Sequence, residues 1–105
     1  MRQIFDPDLK IDCIYNFLMA DSESNVLIVY GQGGDSKTWS TNVALNRFTT
    51  LKPKAHVNTI VLDNPCVIVT TETSVKMIMH TNEWTEYHDW LKAQFNATII
   101  QFVKI

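Results

Sequence analysis

The sequence predicts an α/β domain: a small, mostly parallel sheet of three to five strands with helices on both faces. Three observations predict it. Short apolar runs rich in β-branched residues, such as Val26–Tyr30, read as strands buried on both faces, which is the pattern of a parallel sheet. Longer stretches with apolar side chains at helical spacing alternate with those runs. The chain has 105 residues, 46% apolar and 19% charged. That is enough for one core, burying roughly two-thirds of the unfolded surface, and too little for a motor or a two-domain cofactor enzyme.

Residues 8–20 place apolar side chains at 11, 14, 15, 17 and 18, a helical spacing. Asp6 or Asp8 would cap this helix, with Pro7 in its first turn. A polar break over 21–25 precedes the strand at 26–30. Residues 31–36, Gly-Gln-Gly-Gly-Asp-Ser, form a loop. A second helix over 37–48 would set Trp39, Val43, Ala44 and Phe48 near one face. A loop holding Pro53 leads to a strand over 57–63, a turn at Asn64-Pro65 and a strand over 66–71. Residues 73–80 fit strand or helix. A helix starts at Asn82 or Thr85 and ends at Asn96, and a last strand covers 98–104. The organisation is one domain over 1–105, with an N-terminal helix in 1–20 and a core over 26–105.

The net charge of −2 is unevenly spread. Residues 1–36 carry six acids and two bases, whereas 37–76 carry five bases and two acids. A basic middle of Lys37, Arg47, Lys52, Lys54 and Lys76 would meet phosphates or nucleic acid, the latter through Lys52, Lys54 and Lys76, or simply form a solvated loop around residues 51–54. Cys13 and Cys66 sit in apolar segments without a metal-type spacing, which predicts buried free thiols in a reducing compartment. The longest apolar runs cover five or six residues where a membrane helix needs about 20, so no membrane span is expected. The first residues hold no apolar signal core, and an intracellular location follows as the expectation.

The sharpest signal is Gly31-Gln-Gly33-Gly34-Asp-Ser36-Lys37-Thr38, placed after a buried-type strand and at the head of a helix. The phosphate-binding loop pattern is Gly, four residues, then Gly-Lys-Ser/Thr in that setting. A glycine-rich bend turns backbone N–H groups toward phosphate oxygens, and the helix N-terminus adds its positive end. Lys37 would reach the terminal phosphates and Thr38 would ligate magnesium. Ser36 stands at the second fixed glycine, where a side chain strains the backbone. Asp35 adds a negative charge nearby. The plainer alternative is a strand-to-helix turn capped by Asp35 or Ser36.

From residue 26 onward the chain resembles the superfamily 3 helicases, AAA-like ATPases of small DNA viruses, phages and plasmids. Residues 26–38 resemble their first motif. Pro65-Cys-Val-Ile-Val-Thr-Thr-Glu72 is similar to the third, a proline-led strand ending in a polar sensor, and residues 90–102 to the element after it. The resemblance implies ATP with magnesium as the ligand. It also marks departures. Asp63 is the one candidate for the second motif, where the family usually has two acids. Glu72 stands at the sensor asparagine, and Gln94 at the arginine that completes a neighbour's site. Phosphoryl transfer needs cations at the developing charge. The resemblance therefore implies a reduced, non-catalytic accessory protein that binds a protein partner such as a helicase or host factor. The alternative is a minimal nucleotide-binding or ATPase module.

Two further groupings stand out. Residues 80–90 hold two histidines, three acids and three large aromatics, which suits either a transition-metal site or a surface helix with Trp84 and Trp90 turned inward. Trp39, Trp84, Tyr87 and Trp90 would be core residues or an exposed contact patch.

Overall fold

The computed structural model describes residues 2–21, 24–33, 36–60 and 65–104. Over these the chain runs β1 (Arg2–Ile4), α1 (Pro7–Met19), β2 (Val26–Tyr30), α2 (Lys37–Leu51), β3 (His56–Ile60), β4 (Cys66–Thr70), β5 (Val75–Thr81), α3 (Glu86–Phe95) and β6 (Thr98–Phe102). The strands form one sheet in the order β1-β6-β2-β5-β4-β3. β1, β6, β2 and β5 are mutually parallel, and β4 and β3 join as an antiparallel extension. The fold is α/β with a mostly parallel sheet and helices on both faces, as the alternation of runs predicts, but the sheet has six strands and not three to five, because the short β1 adds one at the edge.

Local chemistry sets the ends of α1 and α3. The Asp6 carboxylate accepts from the N–H of Asp8 at 2.8 Å and of Leu9 at 3.4 Å, with Pro7 opening α1. Thr85 is the N-cap of α3 and Asn96 its C-cap, whose φ of 49° and ψ of 46° give a left-handed conformation that asparagine tolerates. β1 has no sequence signal because it is three residues long. Residues 75–81 are a strand, although Lys76 and His80 interrupt the apolar pattern. Both are buried with tertiary partners: His80 Nε2 shares a hydrogen bond of 2.9 Å with Thr41 Oγ1, and Lys76 Nζ caps the end of α1.

The core lies in two layers. On one face α1 and α2 pack together, with Ile11, Ile14 and Phe17 meeting Ala44 and Phe48 over Leu27, Val29, Ile78 and Phe102. On the other face Leu91 of α3 packs with Val26, Ile28, Met79 and Ala97. The N-terminal segment is built into the same sheet through β1 against β6 and the same core through α1. β3 is exposed along its whole length, as the sheet edge.

Several expectations change. Trp39 is 56% and Trp90 53% exposed, so neither turns inward, whereas Trp84 packs against the second core layer. The basic middle does not form one solvent face: Lys37 and Lys76 are buried, and Arg47 pairs with Asp12 at 3.4 Å. Cys13 is half-buried and Cys66 buried, both free, and burial pushes both thiols up. Among the described residues no group of three His, Cys, Asp or Glu side chains could hold a metal ion. Among them, too, no helix is long and apolar enough to cross a membrane.

Candidate functional site

The connections of the sheet create a crevice. β2 leads through α2 past β5 and β4 to the edge strand β3 on one side, and β5 leads through α3 back past β2 to β6 on the other. Crossover connections between parallel strands are right-handed, so reversing direction moves the helix to the opposite face. α2 and α3 indeed lie on opposite faces. Between them the C-terminal ends of the neighbouring strands β2 and β5 open into a cleft. Such a topological switch point is where open α/β sheets bind ligands. Here the cleft measures ≈ 750 Å³.

The loop after β2 forms one wall. Gly31 N donates to Thr81 O at 3.0 Å, tying the loop to the end of β5. Gly33 lines the cleft, and a Cβ there would meet nothing within 4 Å. Ser36 has φ 69° and ψ 22°, the left-handed conformation that glycine adopts freely and L-residues adopt at a cost of about 1–2 kcal/mol. Its side chain makes no capping hydrogen bond, so the reading of this residue as a conventional N-cap fails on geometry. Gly34 and Asp35 lie outside the described residues.

Lys37 opens α2 and is only 8% exposed. Its Nζ donates to Gly31 O at 2.7 Å, Gln32 O at 3.2 Å and Asn82 Oδ1 at 2.8 Å. A buried ammonium needs such acceptors. Thr38 is exposed and lines the same cleft. Gly33, Ser36, Lys37 and Thr38 therefore line one cleft, with the Gly31 carbonyl held against the Lys37 ammonium.

The residues assigned to later motifs are not. β4 runs antiparallel to β5, so Glu72, in the turn between them, sits at the opposite end of the sheet. It lines a separate cleft of ≈ 700 Å³ with Leu18, Lys52 and Lys76. Gln94 is exposed near the end of α3, about 10 Å along the helix from the residues that line the phosphate-loop cleft. Asp63 lies outside the described residues. The polar residue next to the loop is instead Asn82, at the end of β5. Sequence reasoning missed it because residues 73–80 carried no decisive period. The available signal was a strand-length run ending in Thr81-Asn82.

The far wall comes from α3 and the segment before it. Glu83, Thr85, Tyr87 and His88 line it, and His80 lies at the floor with Pro65. His88 is 2% exposed. Its Nδ1 accepts from Thr85 N at 3.1 Å, which places the neutral ring's proton on Nε2. Nε2 has no partner among the described residues. Burial lowers the pKa of this ring below the usual histidine value, with Asp89 acting the other way.

No protein-family model matches the chain, and searches of curated proteins and of solved structures return no match.

Proposed function

We propose that the protein is a nucleotide-binding module built on a reduced phosphate-loop scaffold. The observation that carries this reading is Lys37, a buried lysine at the head of a helix, opening on the switch-point cleft of a parallel sheet. Backbone N–H groups at the start of α2 and the Lys37 ammonium would meet phosphate oxygens. The Thr38 hydroxyl fits a magnesium ion carried in by the phosphates, as a hard oxygen ligand. The resemblance to superfamily 3 helicases supports the same reading. Asn82, beside the loop, fits the place of that family's sensor asparagine better than Glu72 does. On this resemblance the chain is an accessory protein of virus, phage or plasmid type, acting inside the host cell.

A melting curve tests this. Mg–ATP or Mg–ADP at about 100 times its dissociation constant stabilises the folded chain by roughly 2.7 kcal/mol, several degrees for a domain of this size. The expected result is a shift in the wild type that Lys37→Ala abolishes. No wild-type shift, or one that survives Lys37→Ala, overturns the proposal.

A second reading is a non-catalytic role through a protein partner such as a helicase. The exposed aromatics of α3 favour it: Tyr87 and Trp90 stack at 6.2 Å, and Trp90 meets Phe95 edge-on at 6.3 Å. Exposed Trp and Tyr are characteristic of binding hot spots.

A further inference from the structure

We propose that Trp39 and Tyr87 form a nucleobase-stacking site at the mouth of the cleft, so that its ligand is a nucleoside phosphate and not a bare phosphate or polyphosphate. This rests on the reading of the loop as a phosphate site. Trp39 is in the first turn of α2, immediately after Thr38, and Tyr87 is in the first turn of α3. The two helices lie on opposite faces of the sheet, yet both side chains line the same cleft as Lys37 and Thr38. The switch in crossover direction places one ring on each side of the opening.

Exposure and volume support a flat aromatic ligand. Trp39 is 56% and Tyr87 52% exposed. Large rings ordinarily bury most of their surface, and here both are left beside a polar loop that would hold charge. Tyr87 is braced by Trp90, stacked at 6.2 Å, and by His88, edge-on at 5.7 Å. A preset ring loses little freedom when a base stacks on it. A cleft of ≈ 750 Å³ lies in the range of sites for whole small molecules, roughly 300–1,000 Å³, and a phosphate group fills only a small part of it. Every base offers a π-face, so this site would select for the presence of a base more than for its identity.

Titration of the full chain with Mg–ADP and with Mg–pyrophosphate, followed by calorimetry and tryptophan fluorescence, tests the proposal. Wild type is expected to bind ADP more tightly than pyrophosphate, with quenched fluorescence. Trp39→Ala and Tyr87→Ala should each weaken ADP by about 5- to 150-fold, the range for one base–aromatic stack. Pyrophosphate affinity should hold, and Trp39→Phe, which keeps a ring, should retain ADP affinity. Equal affinity of wild type for ADP and pyrophosphate, or unchanged ADP affinity in both alanine variants, overturns the base site and leaves the phosphate loop standing. Failure of both ligands to bind wild type overturns both.

Discussion

The Lys37 ammonium and the Asn82 side-chain carbonyl meet at 2.8 Å, joining the head of α2 to the end of β5. This bond spans the two neighbouring strands whose ends define the cleft. It also uses a residue that no local pattern marks as a partner. Loop position and lysine position are coupled through it, because the Gly31 and Gln32 carbonyls also accept from the same ammonium.

Removing the amide should therefore cost stability through the lysine. Asn82→Ala is expected to lower stability by about 1–2 kcal/mol, since a hydrogen bond to a charged group is lost. In a Lys37→Met background the same change should cost far less. Chemical denaturation of the two single variants and the double variant gives the coupling.

Ser36 pays for its backbone conformation. Ser36→Gly should stabilise the protein by about 0.5–1 kcal/mol: relief of left-handed strain exceeds the added freedom of the unfolded chain. That corresponds to a few degrees in Tm. Ser36→Val should move Tm the other way, because a β-branched residue fits this conformation worse.

His88 links folding to pH. Its folded pKa lies below the unfolded value of 6.5, so the unfolded chain takes up the proton first as pH falls. The stability tied to the neutral ring is complete above pH 6.5 and is lost as pH drops through the lowered folded pKa. Tm should accordingly fall over the mildly acidic range. In His88→Gln, which keeps an acceptor for the Thr85 N–H, that part of the slope should vanish.

Lys76 closes α1 from a distance. It is 5% exposed, and its Nζ donates to Phe17 O at 2.7 Å, to Leu18 O at 3.0 Å and to Ala20 O. α1 has no basic residue in its own last turn, so this tertiary lysine satisfies its final carbonyls. Lys76→Met keeps length and apolar contact and should still cost about 2–3 kcal/mol by leaving those carbonyls unpaired. Urea denaturation measures the loss, and amide exchange should show faster opening at the end of α1.

The two sets of lysines show where the sequence stops being readable. Val26–Tyr30, the glycine-rich turn and Lys37-Thr38 are local, and each carries its meaning in adjacent residues. The strand, the loop, the helix after it and the α/β class were legible for that reason. So were the end of α3 at Asn96 and a cap for α1 at Asp6 or Asp8, which the structure places at Asp6. Burial of Lys37 and Lys76 was not legible, because a lysine reads as solvent-facing until acceptors from another element surround its ammonium. Asn82 lies 45 residues from Lys37 in sequence, and Phe17 lies 59 residues from Lys76.

By itself, then, the sequence determined the layered class and a phosphate-loop-like turn, since periodicity and turn chemistry act within a few residues. Only the tertiary structure decided what faces that turn. The antiparallel placement of β4 carried Glu72 to the far end of the sheet, and the reversal of crossover direction brought Asn82, Trp39 and Tyr87 to one cleft. Strand order and direction are set by which faces the whole chain can bury at once, a property that no single segment holds.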